Sequence, residues 1–144
     1  MSVRNRLFAS ALAVVVVGVG LPLVTAWPAS AADTISFRAS AQSAANQITH
    51  RVTIPASVRE TDGLLLFVTS NRALGSVVAT PAGWTRVGSR QASTDTETIL
   101  YSKVATAADA GRSQAVDFTA TTKASLMLLA YDGTATDGTA VEAF

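Results

Sequence analysis

The sequence predicts an all-β protein, an antiparallel β-sandwich of jelly-roll or immunoglobulin-like type, and three observations predict it. Apolar and polar residues alternate in "NQITHRVTIP" (Asn46–Pro55) and in "TETILYSKVA" (Thr96–Ala105), the period-two pattern of a strand with one buried face. Two short runs, "LLLFVTS" (Leu64–Ser70) and "ASLMLLAY" (Ala124–Tyr131), are apolar at successive positions, as strands covered on both faces are. Gly, Pro, Asn and Asp punctuate the chain at intervals of roughly ten residues, the turn spacing of sandwiches and barrels.

The elements follow in order. Arg4 and Arg6 make a short basic start, Leu7–Val24 are almost wholly apolar, and Ala29-Ser30-Ala31 supplies small residues for a signal peptidase. This is the pattern of an export signal over residues 1–31, helical and cleaved after Ala31. Gly18, Gly20 and Pro22 interrupt the apolar run and argue against a retained membrane anchor, and no cysteine follows it to carry a lipid. Residues 32–144 are expected to form one sandwich module. The net charge of +1, less the two arginines of the leader, leaves −1. A near-neutral chain with dispersed charge excludes nucleic acid as a partner and confines membrane contact to export. With no cysteine in the chain, disulfides, zinc ribbons and thiol chemistry are excluded as well.

"ISFRA" (Ile35–Ala39) begins the module as an alternating strand. In the next, Ile48, His50, Val52 and Ile54 share one face and Pro55 ends the strand. The loop "ASVRETDG" leads into Leu64–Ser70. "SVVAT" (Ser76–Thr80) is a short strand, and Pro81-Ala82-Gly83 turns the chain into "WTRVGS". In Thr96–Ala105, Thr98, Leu100, Ser102 and Val104 oppose Ile99, Tyr101 and Lys103, and either side could face inward. "TAADAG" (Thr106–Gly111) is a single helical turn stopped by glycine. Val116, Phe118 and Ala120 share a face, and Ala124–Tyr131 exits at Asp132-Gly133. The Asp-Gly-Thr-Ala repeat at 132–135 and 137–140 precedes an apparent new strand from Val141. The module is therefore expected to be incomplete at its C-terminal end.

Motifs in this order, "ISFRASAQ", "HRVTIPASVRETDGLLLFVTSN", "PAGWTRVGS", "ILYSKVATAADAG" and "LLAYDGT", resemble those of secreted actinobacterial and phage-associated β-sandwich modules. In that family the module sits N-terminal in extracellular proteins carrying PKD-like, fibronectin-like or concanavalin-like domains. The resemblance covers nearly all of residues 32–144. It implies a non-catalytic module that continues beyond the position of Tyr131, and it carries no catalytic or ligand-binding residue onto this chain.

The chemistry-bearing residues have simple structural readings. His50, the one histidine, has neither an orienting carboxylate nor further metal ligands nearby in sequence, and is read as a hydrogen-bonded histidine at the sandwich edge. Glu60 with Asp62, and Asp95 with Glu97, are spaced two apart beside loops. Glycoside hydrolysis needs two carboxylates facing one bond, and these pairs read instead as solvated turn residues. Asp132 and Asp137 offer oxygen ligands for calcium, but fit no calcium-loop motif and are explained by Asp-Gly turns. No Gly-x-Ser-x-Gly elbow or phosphate loop occurs. No catalytic, cofactor-binding or metal-binding residue is assigned, and no cofactor.

Trp84, the sole tryptophan of residues 32–144, follows a Pro-Ala-Gly turn and is expected to be a buried wedge rather than a sugar-stacking platform. The expected function is that of a secreted or cell-surface structural and interaction domain of adhesion type, contacting extracellular protein or cell-wall or other extracellular polysaccharide. The alternatives are an accessory carbohydrate-binding domain of a polysaccharide-degrading enzyme and a lectin-like binder acting alone.

Overall fold

Five antiparallel strands make one sheet, and the two longest of them bend back over it. The computed structural model describes residues 34–72 and 76–134. The chain divides into two units, Met1–Ala31 and Ala32–Phe144. The first, with the expected signal helix, lies outside the described residues, all of which belong to the second. The strands are β1 (Ser36–Thr53), β2 (Gly63–Ser70), β3 (Thr85–Ser93), β4 (Thr96–Val104) and β5 (Ser113–Asp132). Their order in the sheet is β1-β5-β2-β4-β3. The all-β, sandwich-like class predicted from the sequence is the one observed. The expected second Asp-Gly turn and the strand from Val141 lie outside the described residues.

Several boundaries differ from the expectation. The strands expected at Ile35–Ala39 and up to Ile54 are one strand of 18 residues, and those at Val116–Ala120 and Ala124–Tyr131 are one of 20. Ser43, Ala44 and Ala45 break the alternation without breaking the strand, because pairing with β5 supplies what their side chains lack. Ser76–Thr80 is reduced to a single bridge between Val77 and Phe118. "TAADAG" contains no helix. It closes by Asp109 N–H donating to Thr106 O (3.0 Å), and Gly111 leaves it at φ +74°, where a left-handed backbone favours glycine.

The bend lies where the β1–β5 register jumps. Gln47 is opposite Thr122, yet Thr49 is opposite Asp117, so β5 spends several extra residues there. Ser43 donates its hydroxyl to the carbonyl of Arg51, eight residues along the same strand, at 2.6 Å. The segment around Val77 takes up the released part of β5: Val78 N–H donates to Asp117 O and Thr119 N–H to Ser76 O, both at 2.9 Å. The jump also corrects the predicted face of the His50 strand. His50, Val52 and Ile54 are buried, but Ile48, inside the jump between Gln47 and Thr49, is 52% exposed.

Folding the ends of β1 and β5 over the sheet gives it a second layer. Val52, Ile54, Val116 and Phe118 from the folded-over part join Leu64, Leu66, Val68, Ile99, Tyr101, Leu126, Leu128 and Ala130 in one buried cluster. Each large side chain so buried contributes on the order of 1.5–3 kcal/mol, the term that replaces disulfides in a cysteine-free chain. In β4 it is Ile99 and Tyr101 that face inward, which settles the choice the sequence left open.

Candidate functional site

The same alternation that builds the core places a second set of apolar residues on the outer face of the sheet. Leu64, Leu66 and Val68 of β2 point inward, so Leu65 and Phe67 point outward. In β5, Leu126 and Leu128 point inward and Met127 and Leu129 outward. The register aligns these residues in rows. Leu65 is opposite Leu129, and Phe67 lies between Met127 on one side and Leu100 of β4 on the other. Side chains directly opposite on one face lie about 4.5–5.5 Å apart at Cβ, so the five form a continuous apolar band. Among the described residues nothing closes over the band: four of its members are half-buried and Met127 is 46% exposed.

Beyond it the next row is small and hydroxylic. Thr98, Thr69, Ser125 and Ala44 are successive neighbours across β4, β2, β5 and β1, and the hydroxyls of Thr69 and Thr98 hydrogen-bond at 3.0 Å. This step down in side-chain size makes an open groove of about 580 Å³, bordered by Asn71 and Lys123. At its end lies a polar hollow of about 390 Å³ lined by Asn46, Asn71, Arg72, Asp95, Thr121 and Lys123. There Arg72 donates to the carbonyl of Thr121 at 2.8 Å, and the Asn71 side chain accepts from Lys123 N–H at 3.0 Å.

The residues singled out from the sequence fall elsewhere. Trp84 is buried, 6% exposed, within the core cluster. Its backbone N–H closes the turn onto Pro81 O at 3.0 Å with Gly83 at φ +80°, and its indole N–H donates to Gln114 Oε1 at 2.8 Å. That is the expected wedge, with a polar handle the sequence did not suggest. His50 lies in the bend between the two layers. Its Nε2 is 3.0 Å from Thr122 O and 3.1 Å from Gln47 O; both partners only accept, so Nε2 carries the proton. The ring also meets Phe118 edge to face at 5.2 Å.

The carboxylate pairs are not two solvated turn pairs. Glu60 and Asp95 are exposed, but Asp62 and Glu97 are each only 1% exposed. Asp62 accepts from Arg59 N–H at 2.8 Å and forms an ion pair with Arg38 Nε at 2.6 Å; Glu97 lies 3.7 Å from Arg86. A buried carboxylate needs such partners, and neither arginine is near its partner in sequence. One member of each pair is therefore interior and the other on the surface. Arg38 also reaches Asp132 at 2.8 Å, and the other Asp132 oxygen accepts from Gly133 N–H at 2.9 Å. The carboxylate considered for calcium is thereby engaged at both oxygens, and Asp137 lies outside the described residues. Asp62 and Asp132 on either side of Arg38 hold its guanidinium above its ordinary pKa, the hydrogen bond to Asp62 contributing most.

Two further ionisable groups are perturbed inside the fold. Burial alone would push Asp109 up, but hydrogen bonds from Lys103 Nζ (2.6 Å) and from the Thr106 amide and hydroxyl (2.8 Å each) outweigh it and hold Asp109 below the usual carboxylate range. Burial pushes the Tyr101 phenol up, with Glu97 adding to the shift and Arg86 opposing it. Both sit in structural networks rather than in a cleft.

The outer band is what sequence reasoning missed. Its signal was present in the unbroken apolar runs, a pattern that fits strands covered on both faces equally well. No family model, curated protein or solved structure matches the chain.

Proposed function

We propose that the chain is an exported, non-catalytic sandwich module that works by contact, as an adhesion-type structural and interaction domain of an extracellular or cell-surface protein. The observation that supports this reading best is the uncovered apolar band Leu65–Phe67–Leu100–Met127–Leu129 on strands whose opposite face already forms the core. Apolar residues so placed contribute little to the core, and contiguous exposed apolar surface marks interaction sites. Export is supported by the basic start, the apolar run and Ala29-Ser30-Ala31.

The test is the binding of bis-ANS to dilute native protein. The reading expects fluorescence that the double substitution Phe67→Ser/Met127→Ser removes, with the thermal midpoint nearly unchanged. A native protein that leaves the dye dark, or a double variant that no longer folds, would place the band in the interior and refute it.

A second reading, an accessory carbohydrate-binding domain of a secreted polysaccharide-degrading enzyme, is favoured by the polar hollow with its amides, hydroxyl and charges. Calorimetric titration with cell-wall oligosaccharides, repeated with Asn71→Ala and Lys123→Ala, separates it from the first.

A further inference from the structure

The geometry points to the class of molecule that the outer face binds: a sparsely charged acidic polysaccharide, laid across the strands with its carboxylates on Arg90 and Lys123. The inference rests on the reading of that face as a contact surface, and three properties of the face carry it.

The first is charge. The edge strand β3 brings Arg90 onto the face, opposite Thr98 and beside Leu100 and Phe67. From there the hydroxyl row Thr98–Thr69–Ser125 crosses β4, β2 and β5 toward Lys123, the next outward residue of β5. Both cations are exposed, and among the described residues neither side chain makes a hydrogen bond or an ion pair. In the adjoining hollow Arg72 and Asp95 oppose each other in sign. The excess charge of the face therefore rests on Arg90 and Lys123, and its complement is an anion.

The second is spacing. Arg90 and Lys123 stand three strands and one outward row apart. At about 4.8 Å per strand and about 6.7 Å per row, their backbones are about 16 Å apart. Side chains stand roughly perpendicular to a sheet, so one small anion does not bridge the two, whereas a chain carrying acid groups at intervals does. A nucleic-acid strand, with a charge every ~3.4 Å, would set most of its phosphates against uncharged side chains. The face matches a polymer whose acid groups are separated by neutral units.

The third is what lies between the cations. Beside the hydroxyl row runs the apolar row Leu100–Phe67–Met127. Where that row meets β3, Gly88 has no side chain, and a recess of about 340 Å³ opens against Arg90. On the other side of the hydroxyl row the groove is bordered by the amides of Asn46 and Asn71. A sugar ring carries the matching groups, a face of C–H bonds and a rim of hydroxyls, and a uronate adds a carboxylate that a guanidinium binds through two parallel N–H bonds. An acidic peptide has no such rim.

Isothermal titration calorimetry of the purified protein with hyaluronan, whose uronate rings alternate with neutral amino-sugar rings, tests this. Hyaluronan methyl ester is the same chain without charge, and poly-glutamate is charge without sugar. The expected result is binding of hyaluronan alone, weakening several-fold as sodium chloride rises from about 20 to about 300 mM. Arg90→Gln and Lys123→Gln should each weaken it about three-fold and the double variant about ten-fold, with the thermal midpoint unchanged. Arg51→Gln, which removes an exposed cation from the folded-over part of β1, should bind as the parent does.

Equal binding of the methyl ester leaves a surface for neutral glycans and overturns the acidic class. Equal binding of poly-glutamate, or an equal loss with Arg51→Gln, means that charge alone attracts the polymer, and overturns the inference. A protein that binds none of the three polymers but still lights bis-ANS overturns the inference and leaves the contact surface standing; one that binds none and leaves the dye dark overturns both.

Discussion

Replacing Trp84 with alanine tests the largest single contribution to the core that the sequence singled out. The indole is 6% exposed, so truncation empties nearly the full volume of a large aromatic. A packed aromatic cut to alanine costs about 3–5 kcal/mol. The hydrogen bond from the indole N–H to Gln114 is lost as well, but Gln114 is only half-buried, and its freed oxygen can find water. The expected loss therefore stays within that range. Trp84→Phe keeps most of the ring and removes the N–H, and should cost about 1–2 kcal/mol. Equilibrium urea unfolding followed by circular dichroism measures both, in a Trp27→Phe background so that wild-type emission reports Trp84 alone. That emission should be blue-shifted, resist acrylamide and move red only on unfolding. If Trp84→Ala unfolds within about 1 kcal/mol of the parent, or if native emission is red and shifts on adding polysaccharide, the burial argument is wrong and the turn is a sugar platform.

Two other substitutions probe the polar interior. His50→Phe keeps an aromatic against Phe118 but leaves the Gln47 and Thr122 carbonyls without their shared donor; it should cost about 1–3 kcal/mol and speed amide exchange around the bend, and unchanged exchange there would show the donor to be dispensable. Asp109 has a folded-state pKa below its unfolded value, so its stabilisation is complete above the carboxylate range and is lost as pH falls through the folded pKa. Asp109→Asn should therefore cost about 1.5–3 kcal/mol near pH 7 and progressively less as pH falls through the folded pKa of Asp109; a pH-independent difference in urea midpoint would contradict that sign.

What could be read from the sequence was whatever depends on neighbours along the chain. An unbroken apolar run located β2 and period-two alternation located β4, each nearly to the residue, and Pro81 with Gly83 announced the turn that delivers Trp84. Continuity across Ser40–Gln47 was not readable, because a run of small polar residues becomes a strand only when β5 lies beside it. The exposure of Ile48 depends on a register jump that no periodicity records. Asp62 and Glu97 could not be recognised as interior because their partners, Arg38 and Arg86, belong to other strands. The outer face was half legible: the runs announced two apolar faces, but only the assembled sheet shows which one the other described residues leave uncovered.

The position of β5 has a consequence for how the molecule comes into being. It is the last of the five strands in sequence, yet it lies inside the sheet, between β1 and β2. Until it arrives, β1 has no neighbour, and β2 has only β4. Bringing Ser36 to Asp132 closes nearly the whole length of the described chain, and loop-closure entropy for roughly 100 residues is about 4 kcal/mol before any contact offsets it. A chain emerging from the ribosome or a secretion channel amino end first thus passes most of its length without a place to put Leu64, Leu66 or Val68. Folding dominated by such distant pairings is slow, and those side chains stay open to chaperones and to wrong partners until residue 132 is out.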